Sequence, residues 1–410
     1  MRNGTDHAGR WRILILHNAY QERGGEDSVV AAETDLLRKY GHEVEIYSRH
    51  NDELQQKSAI SAAANALWSR RSSADLRLAV RRFSPDVVHV RNTFPLISPS
   101  IYWQASALRI PIVQTLHNFR LMCPQAQLLR NGAVCEDCVG KLPWRAVVHA
   151  CYRGSHLQSA VSSIGIGLHR AIRTYDRNVS RYIALNEFCK QKFIQAGLPS
   201  NRICIKPNFV EIPAKTATVT DQRKGGLFVG RLSMDKGIPV LLSAIASLEG
   251  RIRVTVVGSG QLERTVADQL GEQYVGFKSL QDIFELMKSA AFLVVPSIWY
   301  ENFPRTIVES FACGLPVIAS RLGALAEVVK EGQTGLLFDP GQASDLAAKL
   351  SWAEANPLEM LRMGRNARKE YENLYSPQKN YEILRDIYAQ AMSERTGAIG
   401  DGGPRHRAAI

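Results

Sequence analysis

Short strand-like runs, the first of them (residues 11–16) apolar without clean alternation, occur in two successive series along this chain, with helical stretches between them. That rhythm limits the possible folds more than any other feature. The first series runs through residues 11–16 of "WRILILHNAY", 43–48, "DVVHV" (86–90), "PIVQTL" (111–116), "RYIALN" (181–186) and "RICIKP" (202–207). A strand that is apolar at every position is one buried on both faces. Helical stretches between such strands imply a parallel sheet covered on both sides. Residues 208–224, "NFVEIPAKTATVTDQRK", lack a sustained period and read as a linker. The rhythm then restarts with "GGLFVG" (225–230), "RVTVVGSG" (253–260), "AFLVVPS" (291–297), "LPVIAS" (315–320) and "TGLLFD" (334–339).

The expected fold class is therefore α/β, with two doubly wound domains over 11–207 and 225–376 facing a central cleft. The 410 residues are enough for two such cores. A last helix over 377–394 is placed to cross back to the first domain. Residues 1–10 and 395–410 read as disordered ends. Doubly wound sheets bind ligands beyond the carboxyl ends of their strands, so the motifs of both halves should meet in one crevice.

The densest motif is "YENFPRTIVESFACGLPVIAS", residues 300–320. Pro304 suits a first helical position, where a missing N–H costs nothing. Gly314 suits a helix end. Free amides of the first turn make an anion site. Glu301 in the loop and Glu309 inside the helix can accept hydrogen bonds from hydroxyls. Carboxylates beside an anion-binding helix end suit a ligand with phosphates in the middle and hydroxyl-rich groups at both ends, as in a nucleotide diphosphate sugar. In "VGRLSMDKGIPVLL", Arg231 and Lys236 lie at a strand-to-helix turn, where two cations can clamp a diphosphate. "VVGSGQLE" adds a glycine turn with Gly258 and Gly260. In the first half, Gly24 and Gly25 lie between the first strand and helix, where glycine lets backbone approach a ligand closely. They do not form G-x-G-x-x-G, so no dinucleotide is inferred. His117 lies just beyond a strand end.

These residues resemble the retaining GT-B glycosyltransferases of family four, also called group 1 glycosyltransferases, over roughly residues 11–390. The likeness is strongest in "GRLSMDKGI" and "YENFPRTIVESFACGLPVIAS". The resemblance implies a GT-B fold of two Rossmann-like domains. It implies that Glu309 binds the donor ribose and that Arg231 and Lys236 bind the diphosphate. Glu301 would contact the donor sugar with the backbone of Asn302, Phe303 and Pro304, and amides near Thr306 and Ile307 would face the phosphates. Gly25, beside Gly24, would sit near donor phosphate and acceptor, and His117 would contact the transferring sugar. The family needs no metal for catalysis, and no D-x-D at a strand end points to the metal-using glycosyltransferase fold.

Charge and cysteines add two expectations. The net charge is +12, and residues 61–200 carry all of it, the remainder balancing. Segments such as "RRFSPDVVHVRN" and "LHRAIRTYDRNVSRY" supply many of these cations. A basic face attracts anionic membrane, phosphorylated substrates or nucleic acid, or is simply solvated. No nucleic-acid-binding signature accompanies it, so no nucleic-acid partner is expected. The expected partners are a nucleotide sugar, a lipid-linked or saccharide acceptor and an anionic membrane surface. With no apolar run long enough to span a bilayer and no apolar leader, the expected place is the cytoplasm, peripheral at the inner membrane face.

Cys123, Cys135, Cys138 and Cys151 lie in an insertion over about 119–156. The C-x₂-C pair with one cysteine on each side suggests a structural zinc, with reduced thiols or a redox disulfide as the other readings. The expected activity is sugar transfer from a nucleotide diphosphate sugar in cell-surface polysaccharide or glycolipid synthesis. A sugar-nucleotide epimerase of the same fold and a non-catalytic, zinc-containing nucleic-acid-binding protein are the alternatives.

Overall fold

The computed structural model describes residues 9–19, 25–54, 58–212 and 223–400. Most of the linker and all of 401–410 lie outside them. The first sheet contains β1 (Arg12–Ala19), β2 (Glu43–His50), β3 (Val87–Asn92) and β4 (Ile112–Thr115). A small ribbon, β5 (Leu129–Arg130) with β6 (Ala133–Val134), interrupts the series before β7 (Arg181–Ala184) and β8 (Ile203–Ile205) complete the sheet. Its order is β2-β1-β3-β4-β7-β8, all parallel. The second sheet is β9 (Gly226–Val229), β10 (Val254–Val257), β11 (Phe292–Val295), β12 (Val317–Ser320) and β13 (Gly335–Phe338). Its order is β10-β9-β11-β12-β13, also parallel.

Both sheets reverse direction in the same way. The chain steps outward from β1 to β2, or from β9 to β10, then crosses back to lie on the other side of the starting strand. The gaps beyond β1/β3 and β9/β11 are thus the topological switch points where ligands bind in such sheets. Every residue of β3, β4, β11, β12 and β13 is buried, which explains the missing alternation. β2 differs: as an edge strand it exposes Glu43, Ile46 and Ser48 and buries little.

Helices cover both faces of each sheet. Leu14, Val88 and Ile112 face one first-domain core together with Tyr102, Phe119 and Phe193. Ile13, Ile15, Val87 and Val113 face the other, and the closing helix Pro377–Gly400 supplies Tyr381, Leu384, Tyr388 and Ala391 to it. That helix leaves the second domain through a widened turn at Tyr371–Tyr375. It continues past residue 394 to Gly400, into the segment read as a disordered tail. The cysteine insertion is not coreless either, because Met122, Cys123 and Leu128 belong to the first-domain core.

Charge is also buried behind this core. The Glu33 carboxylate is fully enclosed and pairs with Arg91 of β3 and, at 2.8 Å, with Lys206 beyond β8. Asn380 of the closing helix accepts from Lys206 at 3.0 Å. The Tyr388 hydroxyl and Nδ1 of His89 lie 2.6 Å apart. Burial lowers the Lys206 pKa far below its ordinary value and that of Arg91 to about 10. Glu33 is the carboxylate that compensates both cations, so Glu33→Ala should destabilise the first domain by about 3–5 kcal/mol in urea unfolding. A loss under about 1 kcal/mol would show that the cations are otherwise satisfied.

Candidate functional site

At the second switch point two loops meet. β9 ends at Val229 and leads into Gly230–Gly237; β11 ends at Val295 and leads into 296–304. Gly237 makes their approach possible: at φ +73° its absent Cβ would lie 1.8 Å from the Pro296 carbonyl oxygen. The Ile298 amide donates to the Asp235 carbonyl at 3.0 Å. Lys236 is thereby set against the second loop, where its Nζ donates to Glu301 Oε1 at 2.5 Å. The Ser297 hydroxyl donates to the same oxygen at 2.7 Å, and the Trp299 ring centroid lies 5.6 Å from Nζ. Arg231 is held by Asp235 at 2.8 Å and by Ser233 at 3.2 Å, with its side chain 57% exposed.

Helix Arg305–Ala312 begins one residue later than expected, with Pro304 as its N-cap and no side chain capping it. The Ile307 amide is turned back onto the Pro304 carbonyl at 3.0 Å, and the Ile307 side chain is in the core. Phe303 also packs inward, 6.1 Å from Tyr375. Glu309 is 5% exposed, and burial raises its pKa against the opposing pull of Arg305 at 2.9 Å. Gly258 has a structural reason of its own: a Cβ there would lie 1.9 Å from the Gly230 carbonyl oxygen.

The first domain closes on this loop. The Asn302 amide donates to the His117 carbonyl oxygen at 2.6 Å, and Asn186 donates to the Asn302 carbonyl at 2.6 Å. Tyr300 donates to Glu136 at 2.8 Å. Glu327 caps the first-domain helix Glu187–Gln195 by accepting from the amides of Glu187 and Phe188 at 2.8 and 2.7 Å. The structure therefore brings His117, Asn302, Glu301 and Lys236 to one place. Burial, then the nearby Arg91, push the His117 pKa well below its ordinary value, so the ring is neutral near pH 7. Arg91 Nη1 lies 3.2 Å from His117 Nε2 and donates to it. A cavity beside them is lined by Arg91, Asn92, His117 and Arg120 and by Leu67 and Ile166 of two helices.

Gly25 opens helix Gly25–Lys39 next to the first strand end, and a Cβ there would meet nothing within 4 Å. The protein itself thus does not demand glycine at that position. Gly24 lies outside the described residues. His17, at the end of β1, has Nε2 2.8 Å from Asp27 of the same helix.

Sequence reasoning missed the roles of Arg91, His17 and Asp27. Arg91 was counted among the surface cations, yet it is buried. The signal was a cation ending the otherwise apolar run "DVVHVRN". The four cysteines of the zinc expectation do come together. Cys123, Cys135, Cys138 and Cys151 line one small cavity. Among the described residues, however, no three His, Cys, Asp or Glu side chains are grouped to hold a metal ion, and the cysteines are free. Cys123 reaches this cavity from the edge of the first-domain core. Burial and the neighbouring thiols push the Cys138 pKa up to about 12. Among the described residues no helix is long and apolar enough to cross a membrane.

Comparison with known proteins agrees with this geometry. A model described as "Glycosyltransferase Family 4" matches residues 23–212, and one described as "Glycosyl transferases group 1" matches 212–370. An uncharacterised glycosyltransferase of Methanocaldococcus jannaschii is 32% identical over 171 residues, 40% of this chain and 48% of that protein. A D-inositol 3-phosphate glycosyltransferase of Streptomyces bingchenggensis is 30% identical over 40% of each chain. The chain thus spans less than half the length of either relative. Among solved structures, sucrose-phosphate synthase from Thermosynechococcus elongatus superposes with a TM-score of 0.67 at 18% identity, covering 94% of this chain and 100% of that one. Anabaena HepE in complex with UDP-glucose superposes with a TM-score of 0.63 at 19% identity, covering 93% and 100%. Likeness at that identity speaks to fold alone. The two family models together run from residue 23 to residue 370, and the chain belongs to the group 1, family 4 glycosyltransferases, with their GT-B fold.

Proposed function

We propose that this protein moves a sugar from a nucleotide diphosphate sugar to an acceptor hydroxyl, with retention at the anomeric carbon and no metal ion in the chemical step. One observation carries the reading: the Lys236–Glu301 pair stands at the switch point of the second sheet, in the loop that leads to Glu309 and an uncapped helix start. Two proteins of similar fold, Anabaena HepE in complex with UDP-glucose and Staphylococcus aureus TarM in complex with UDP, support the reading.

In this reading the diphosphate lies against Lys236, Arg231 and the free amides at Arg305 and Thr306. Bond cleavage at the anomeric carbon leaves charge on the departing phosphate oxygen. Fixed cations and amides there stabilise the transition state more than the ground state. Glu301 then has two tasks, holding Lys236 in place and accepting a hydroxyl of the donor sugar. Glu309, desolvated and paired with Arg305, accepts the ribose hydroxyls. Neutral His117, with Nε2 held by Arg91, offers its other nitrogen to the transferring sugar. Closure of the two domains through Asn302 keeps out the water that would otherwise hydrolyse the donor. The acceptor enters from the first domain, a lipid-linked or saccharide molecule at the inner face of the cell envelope. An epimerase of the same fold would instead turn over donor without acceptor.

Lys236→Ala should lower kcat by about 10²–10³ with the fold intact, since it removes one group that stabilises the leaving oxygen. Near-normal turnover would remove the diphosphate clamp from the mechanism. Glu309→Gln should weaken donor affinity about 10- to 100-fold in calorimetry, the value of a hydrogen bond to a charged acceptor. The sign of the pH effect follows from the raised Glu309 pKa. Donor affinity should fall as pH drops through that pKa and the carboxylate protonates, and Glu309→Gln should flatten the profile. Equal pH dependence in both proteins would contradict the role given to Glu309. A thermal-shift screen of nucleotide sugars identifies the donor, because binding stabilises the native state.

A further inference from the structure

The helix His156–Ala171 is inverted relative to an ordinary surface helix. Its buried residues are Ser159, Ser162, Ser163, Ile166 and His169. Its exposed side carries Leu157, Ile164 and Leu168. Residues seven and eleven apart fall within about 20° of one another around a helix, so these three form a single stripe.

Neighbours flank that stripe on both sides. On one side, a Cβ at Gly165 would come within 3.1 Å of Leu67, and His169 Nε2 lies 2.9 Å from the Leu67 carbonyl, which places helix Ala59–Leu67 there. On the other, Ser163 donates to the Pro143 carbonyl at 3.0 Å and His156 Nδ1 lies 2.7 Å from the Val147 carbonyl, which places the short helix Trp144–Val148 there. That second neighbour also points large apolar groups outward. Leu142, Trp144, Val148, Leu157, Ile164 and Leu168 are all between 41% and 69% exposed. A contiguous apolar face of this kind marks an interaction site.

Its electrostatic setting selects the partner. From Cys138 to Tyr175 the chain contains no Asp or Glu, while Lys141, Arg145, Arg153 and Arg173 are exposed in the same stretch. Arg145 lies over the Trp144 ring at 5.6 Å. Asp137 and Asp176 border the stretch and pair with Arg145 at 3.4 Å and Arg173 at 3.5 Å, and the stretch between them stays cationic. Outward leucines and a tryptophan within this cationic rim fit the headgroup region of an anionic bilayer, where the apolar groups enter the acyl boundary and the cations meet lipid phosphates. The cavity that reaches Arg91 and His117 lies between helices Ala59–Leu67 and His156–Ala171 and is lined by Leu67 of one and by Val161 and Ile166 of the other. Helix His156–Ala171 thus carries the apolar stripe on one side and lines that cavity with another.

We infer that the face formed by residues 142–168 seats this protein on an anionic lipid bilayer, so that an acceptor held in the membrane reaches His117 between the two helices. The inference deepens the reading of a lipid-linked acceptor, and its test does not depend on sugar transfer. The full chain is sedimented with vesicles of phosphatidylcholine alone or with phosphatidylglycerol. Binding should require the anionic lipid and weaken as salt rises. Ile164→Glu with Leu168→Glu should reduce vesicle partition at least about tenfold, while melting temperature and donor affinity in solution stay unchanged. Phe277→Glu, at a residue 78% exposed in the second domain, should have no effect.

If the double variant fails to fold, brominated-lipid quenching of tryptophan emission replaces it, and part of that quenching should vanish in Trp144→Phe. Equal partition of wild type and folded double variant, no binding to anionic vesicles at low salt, or quenching unchanged in Trp144→Phe would overturn the inference. So would light scattering that shows a wild-type dimer and a monomeric variant, since the face would then join two copies. Loss of donor affinity with vesicle binding intact would fault the transferase reading alone.

Discussion

The contact between Lys236 and Glu301 is the interaction on which the rest of this structure depends. Two chain segments that end in different strands must meet within a few ångströms, and one residue decides whether they can. Any side chain at position 237 would strike the Pro296 carbonyl. With glycine there, the ammonium of Lys236 reaches a carboxylate that is only 6% exposed. A buried carboxylate must be paired or protonated. Lys236 and Ser297 supply the pairing, and they fix the 296–304 loop from which Asn302 reaches across to the first domain. The same contact therefore sets the shape of the loop and the docking of the two domains.

The first domain is organised around a second buried cluster, with a different purpose. Glu33, Arg91 and Lys206 neutralise one another beneath the sheet, and Arg91 extends from that cluster to hold His117. The closing helix joins in through Asn380 and Tyr388. A helix that starts in the second domain thus completes the packing behind His117 in the first.

Much of this was readable in the residues, for definite reasons. Strands buried on both faces announce themselves by a lack of alternation, as in β11, which is apolar at every position. The edge strand β2 was less clear, since its outer positions face water. The motif around Glu301 and Glu309 was readable because proline, glycine and acid each answer a local need there. Arg91 was misread because a cation in a sequence looks like surface; its partner Glu33 lies far away along the chain, and only tertiary folding joins them. The cysteines were legible as a group: C-x₂-C spacing describes how thiols can converge, and Cys123, Cys135, Cys138 and Cys151 line one cavity. The inverted helix His156–Ala171 escaped notice because periodicity shows that a helix is two-sided and not which side faces in.

A structure of the protein crystallised with a nucleoside diphosphate tests the central claim most directly. The account predicts a β-phosphate oxygen at hydrogen-bond distance, about 2.7–3.2 Å, from Lys236 Nζ, with Arg231 on the same diphosphate and a ribose hydroxyl on Glu309. A diphosphate bound elsewhere, with the Lys236–Glu301 pair undisturbed and unshared, would contradict it.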